Sequence, residues 1–371
     1  MKVEDFVNII SSDFYTGVPD SQLKALCDYL LKTYGTDSHH HIIAANEGNA
    51  VGLAAGYHLA TGKAPVVYMQ NSGEGNVINP IASLLNDKVY AIPCIFIIGW
   101  RGEPGIHDEP QHIFQGEVTL KLLEDMGVEY TVVDTNSCVE DVQKTMGRFK
   151  DLLKNGKQVA FVIRKGALEY GEKVQYKNDN ELAREEVIEN ITTISGDDLI
   201  ISTTGKASRE LFEVRERQGQ EHLSDFLTVG SMGHCSSIAL GVALNQPERK
   251  VWCIDGDGAA LMHMGALPVI ANSHPRNLIH IIINNGSHES VGGQPTVMSN
   301  LNFWEIARVC GYPHTACVSS LEELDKELKA AKECDDLTLL EVKCKIGARA
   351  DLGRPTTTAI ENKESFMNNL K

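Results

Sequence analysis

The stretch Trp252–His288, WCIDGDGAALMHMGALPVIANSHPRNLIHIIINNGSH, places the apolar runs VWCI and LIHIIIN on either side of a segment with helical spacing. Short apolar runs bounded by turn residues read as buried parallel strands, and one intervening helix makes the whole a βαβ unit. Both strands of such a unit end on the same side, where ligands bind in open α/β sheets. Asp255 and Asp257 after the first strand, and Asn284 and Asn285 after the second, are therefore expected to share one crevice. A plain βαβ unit whose Asp, Gly and Asn only shape its turns is the alternative.

Bulk composition sets limits on the rest. A chain of 371 residues, 42% apolar, is long enough for two domains with separate cores. Fifty acidic against 34 basic residues give a formal charge of −16, which argues against nucleic acid or an anionic membrane as partner. An anionic substrate would need a local cluster of Arg, Lys, His and backbone N–H groups to overcome that field. The nine cysteines form no CxxC pair, and settings such as IPCIF and VWCI suggest reduced, buried thiols of a cytoplasmic protein. Neither a signal-peptide pattern nor a membrane-length apolar run is present.

Strand-like and helical segments alternate along the chain, so the expected fold class is α/β: two similar-sized three-layer α/β/α domains with mainly parallel sheets. Residues 1–170 form the first, 171–185 a polar linker (largely the stretch KVQYKNDNELAREE that follows Gly171-Glu172) and 186–371 the second. The first domain is expected to hold an amphipathic helix over Met1–Phe14 and a helix capped by Asp20 or Ser21 and stopped by Gly35. A helix opening at Asn46-Glu47-Gly48 follows, then the helix NPIASLLND, a polar loop running to about His112 and a helix near Thr119–Met126. The second domain continues with a helix from Ser208, and its last strand, LTLLEVK, precedes a polar tail. His39–His41 are excluded as a joint metal site because side chains alternate along a strand.

Gly256-Asp257-Gly258, followed by Asn285 at 285 − 257 = 28 residues, resembles the fingerprint of thiamine diphosphate enzymes. That resemblance implies a Mg²⁺ held by Asp257, Asn285 and the Ser287 carbonyl, hard oxygens suited to that ion. It also implies that Glu47, in AANEGNAVGLAAGY, is the carboxyl that protonates the cofactor pyrimidine at N1′; otherwise Glu47 only favours a helix start. Ser231-Met232-Gly233 resembles the segment whose bulky residue shapes the cofactor, although Met232 could equally fill core space. Gly205 and Lys206 after one strand, and Ser72 and Gly73 after another, are further cofactor-contact candidates, with Lys206 alternatively a surface charge. Neither stretch fits a nucleotide motif: position 200 is Ile where a Walker loop needs Gly, and position 78 is Ile where a Rossmann loop does.

TGVPDSQLK, GWRGEPGIHDEPQH and NNGSHESVGGQPT narrow the resemblance to the phosphonopyruvate decarboxylase family, with sulfopyruvate decarboxylases as close kin. The resemblance spans both domains and leaves no room for the central third domain of larger thiamine enzymes. It implies the thiamine diphosphate-binding fold, non-oxidative decarboxylation of 3-phosphonopyruvate to phosphonoacetaldehyde and CO₂ in phosphonate biosynthesis, and a homodimer or higher homo-oligomer with sites between subunits. Substrate-contact candidates are Asp20, Ser21, Arg101, Gln111 and His112, with the Arg101 fork suited to phosphonate or carboxylate. His107 and His112 are five apart with Pro110 between them, which excludes a zinc-protease helix. A sulfopyruvate decarboxylase, an acetolactate-type carboligase and a thiamine diphosphate binder without turnover are the alternatives.

Overall fold

A computed structural model describes residues 1–35, 37–172 and 174–371; Lys173, in the expected linker, lies outside them. Packing divides the chain into two units, Met1–Gln175 with Val291–Gln294, and Tyr176–Ser290 with Pro295–Lys371.

The first unit is built on six strands, Tyr15–Gly17 (β1), His41–Ile43 (β2), Val66–Gln70 (β3), Cys94–Gly99 (β4), Glu129–Val133 (β5) and Gln158–Ile163 (β6). They hydrogen-bond side by side in the order β2-β1-β3-β4-β6-β5, all parallel. The runs CIFIIG and QVAFVI are buried along their whole length, as expected of strands covered on both faces. Successive side chains alternate: Val66 and Tyr68 join the apolar layer under helices Val3–Ile10, Lys24–Tyr34 and Val139–Lys154. Val67 and Met69 join the opposite layer, under Glu47–Thr61 and the Glu74–Leu85 helical stretch. Phe161 is clamped between Phe6 and Phe149 at ring separations of 5.4 and 5.2 Å, an edge-on packing that fixes the first layer.

The second unit repeats the plan with Leu199–Ser202 (β7), Asp225–Leu227 (β8), Val251–Gly256 (β9), Leu278–Asn284 (β10), His314–Val318 (β11) and Thr338–Lys343 (β12). Their order is β8-β7-β9-β10-β12-β11, again parallel. Offset by six, this is the order of the first sheet, although no repeat is visible in the amino acids. Trp252 and Ile254 face one apolar layer, and Val251 and Cys253 the other. The described residues thus form two α/β/α units with no third domain.

Several expected elements differ in detail. The first helix spans only Val3–Ile10, because Ser11 turns left-handed at φ 53°. The second starts at Lys24; Asp20 instead accepts the Gln22 N–H in the preceding turn, while Gly35 does end the helix. The helix placed near Thr119 runs over Pro110–Asp125, since proline at a helix start lacks only an N–H that would go unbonded there. Two helices, Asp257–Met262 and Ala266–Ser273, stand where one was expected between β9 and β10. The helix from Ser208 begins at Lys206. The tail is not merely polar: Thr358 and Glu361 form a capping box opening the helix Ala359–Asn369, which buries Phe366. All nine cysteines are free, yet Cys138 and Cys317 are exposed, against the expectation of burial.

Candidate active site

Every candidate residue lies on a segment just beyond the carboxyl end of a parallel strand. In each sheet the chain leaves the third-placed strand in the direction opposite to the second, the reversal that opens a crevice.

In the first unit Glu47 is the first residue of its helix, set by Asn46, whose side chain accepts the Asn49 N–H at 2.8 Å. Its carboxyl group is 4% exposed and accepts one hydrogen bond, from Asn76 Nδ2 at 2.6 Å. Burial pushes its pKa up against that bond. Gly73 makes this placement possible: a Cβ there would lie 2.5 Å from Glu47 Cγ and Oε1. Ser72 is exposed and donates to Gln70 Oε1.

Gln70 also donates to the fully buried Asp20, joining the segments after β1 and β3, and burial raises the Asp20 pKa. Arg101, after β4, grips Asp108 with Nε at 2.7 Å and Nη2 at 2.5 Å, and Nη1 reaches Ser21 Oγ at 3.2 Å. That fork holds the Asp108 carboxyl well below its usual range. Arg101 is thus brought to Ser21, but its charge is already balanced within its own loop. Asn71 pins the loop by bonding both the N–H and the carbonyl of Arg101. His112 is buried in the first turn of its helix with Nδ1 unpartnered, and burial lowers its pKa. Gln111 beside it is half-buried.

In the second unit Asp257 opens a helix at the end of β9 and is 3% exposed. Its Oδ2 accepts from Thr296 Oγ1 at 2.7 Å. Burial pushes its pKa from 3.8 up to about 6, a cost to the ionised form of about 3 kcal/mol. Asn285 Oδ1 accepts the Ser287 N–H at 3.0 Å, and its Nδ2 donates to Glu289. Ser287 Oγ is buried without a partner. Lys206, following Gly205 with its φ of 93°, pairs with Glu289 at 2.6 Å, as does Arg184 at 2.9 Å. After β8, Ser231 holds the left-handed φ of 54° and Gly233 one of 91°, leaving Met232 half-buried between them. A Cβ on Gly258 would sit 3.2 Å from His288 Nδ1 and 3.5 Å from Met232 Cε, so the bare backbone there lets both side chains pack close against it.

Family models for thiamine pyrophosphate enzymes match both parts: the N-terminal TPP binding domain over residues 6–130 and the C-terminal TPP binding domain over 203–342. Phosphonopyruvate decarboxylase of Streptomyces viridochromogenes is 34% identical over 366 residues, covering 94% of this chain and 89% of that protein. The chain belongs to the phosphonopyruvate decarboxylase family. The enzyme of the same name from Streptomyces hygroscopicus is also 34% identical, with 91% and 86% covered. Sulfopyruvate decarboxylase of Methanosarcina acetivorans is 28% identical, with 93% and 91% covered.

The second half-site of this decarboxylase suits a hard divalent cation with a diphosphate. Among the described residues no cation pairs with the buried Asp257 carboxylate, and the surrounding Asn285 and Ser287 supply oxygen donors. Sequence reasoning missed His288, Asn76, Thr296, Asp108 and Glu289. Of these, Asp108, His288, Glu289 and Thr296 stand inside stretches already singled out. Burial pushes His288 down to about 4, so this ring stays neutral near pH 7. Nothing in the spacing marks it, because its importance arises from packing on Gly258.

Proposed function

We propose that this decarboxylase converts 3-phosphonopyruvate to phosphonoacetaldehyde and CO₂, using thiamine diphosphate and Mg²⁺ in phosphonate biosynthesis. The observation that carries the reading is that one chain of this family holds both a buried Glu47, whose pKa burial raises, and a buried Asp257 that no basic side chain among the described residues pairs with. When bound, thiamine diphosphate supplies the electron sink that lets the carboxylate of a 2-oxo acid depart.

The remaining work falls to side chains. Glu47 would hold a proton for the pyrimidine N1′, kept on its carboxyl group by burial and oriented by Asn76. Asp257, Asn285 and Ser287 would hold Mg²⁺, which replaces the missing countercharge at Asp257. Lys206 would act mainly through Glu289, whose carboxylate orients the Asn285 amide. Ser72, Gly73, Gly205, Ser231, Met232, Gly233, Gly256 and Gly258 would form the cofactor walls. Asp20, Ser21, Arg101, Gln111 and His112 would receive the substrate, with Arg101 exchanging part of its bond to Asp108 for the phosphonate.

Each site would form between the first domain of one subunit and the second of another, in at least a dimer. Sulfopyruvate is the second substrate reading, favoured by the chain-long similarity to the Methanosarcina enzyme. Aldehyde release from phosphonopyruvate, sulfopyruvate and pyruvate, measured side by side with and without Mg²⁺, tests the assignment. Fastest release from sulfopyruvate would transfer it to the second reading, and no Mg²⁺-dependent release from any would sink both. Mixing inactive Glu47→Gln and Asp257→Ala chains should restore up to about a quarter of the activity if sites form between subunits. No recovery after verified subunit exchange would rule that arrangement out.

A further inference from the structure

Cys253, Asp255 and His280 form a buried polar cluster inside an otherwise apolar layer of the second unit. Cys253 and Asp255 are two apart on β9, and His280 on β10 stands in register with Cys253, so all three side chains project from one face of the sheet. That face carries Val251, Leu278 and Ile282 and is covered by the helix Cys235–Asn245. Burial is essentially complete, with exposures of 0%, 0% and 1%. One potential ligand atom from each residue lies within 4.8 Å of the other two.

Two of these atoms are unsatisfied. Asp255 Oδ2 and His280 Nε2 are both buried without a hydrogen-bond partner and face each other at 3.6 Å. A buried polar group normally has a hydrogen-bond partner, and these two, an ion pair 3.6 Å apart with no hydrogen bond, leave a shared coordination point between them. The other Asp255 oxygen accepts the Gly256 N–H at 2.9 Å, and His280 Nδ1 lies 3.5 Å from Tyr312 Oη. An N–H at Nδ1 directed to Tyr312 leaves the Nε2 lone pair free, the arrangement of a metal-bound histidine with an outer partner. Ligand bonds of about 2.0–2.3 Å set at tetrahedral angles separate neighbouring donor atoms by roughly 3.3–3.8 Å. The carboxylate–imidazole spacing falls in that range. Cys235 lies outside the cluster: its thiol is 3.6 Å from that of Cys253 but rests against the Ile201 and Ile254 carbonyls.

We infer that Cys253, Asp255 and His280 form a zinc site with three protein ligands, separate from the Mg²⁺ site. Thiolate, imidazole and carboxylate together suit zinc, whereas the oxygen donors around Asp257 suit magnesium. Bound zinc would cross-link β9 to β10 from within the layer.

Elemental analysis of the full-length protein, gel-filtered into metal-free buffer, should find about one zinc per chain. Asp257→Ala should retain that zinc, whereas Cys253→Ser and His280→Gln should lose it. Protein produced in cobalt-supplemented, zinc-poor medium should show a thiolate-to-cobalt charge-transfer band that Cys253→Ser lacks. Wild-type protein with neither stoichiometric metal nor a cobalt band would overturn the inference, whatever the fate of the variants. Loss of zinc in Asp257→Ala would overturn it as a separate site. None of these readouts depends on turnover, so they stand apart from any failure of the decarboxylase reading.

Discussion

Glu47 and Asp257 are both buried carboxyl groups with raised pKa values, yet opposite demands fall on them. Glu47 has to keep a proton, so Glu47→Gln should leave Mg²⁺ and cofactor binding in place while lowering turnover by about 10²- to 10⁴-fold. Binding isotherms beside steady-state rates check this; near wild-type rates would remove Glu47 from its role. Asp257 has to lose a proton before a cation can bind. Its raised value means that the protonated form is favoured in the folded, metal-free chain, whose stability therefore falls as pH rises from 3.8 through about 6. Mg²⁺ should reverse that trend, with affinity roughly constant above pH 7 and falling up to about tenfold per pH unit below 6. Calorimetric Mg²⁺ titrations across pH 5–8 would show it, and a flat profile would contradict the assignment. Both residues could be singled out as candidates from the sequence because each stands in a short local pattern. Asn76, Thr296 and His288 were not, because their roles depend on what the fold brings against them.

At the level of elements, the strand–loop alternation was readable, since strands covered on both faces leave uninterrupted apolar runs such as CIFIIG. What escaped were decisions made by single residues at element ends. Pro110 starts a helix where a loop was expected, and Thr358 with Glu361 caps a helix in a stretch that looks merely polar. Element ends also carry the tightest constraints. Gly73→Ala would drive a Cβ into Glu47, costing about 1–3 kcal/mol and displacing the carboxyl group. Turnover should therefore fall alongside Tm, whereas Gly75→Ala, which meets nothing within 4 Å, should move neither. Equal rates in the two variants, measured with their melting curves, would refute the dependence of Glu47 on Gly73.

Across the whole molecule the formal charge of −16 opposes every anion it has to admit. Phosphonopyruvate carries more negative charge than pyruvate and should feel that field more strongly. Raising ionic strength from about 0.01 to 0.1 M shortens the screening length from about 30 to 10 Å. KM for phosphonopyruvate should then fall further than KM for pyruvate, while kcat changes little. Equal shifts for both substrates would mean that local pairing at Arg101, not the global field, governs capture. The chain-wide charge was plain from composition, but the Arg101–Asp108 pair that sets the local balance needed coordinates.

The common threading of the two sheets has a historical meaning. Identical strand order without recognisable sequence likeness is what an ancient duplication leaves once each copy has specialised. The correspondence pairs β3 with β9: the loop after one carries Gly73, which packs on Glu47, and the segment after the other carries the buried Asp257.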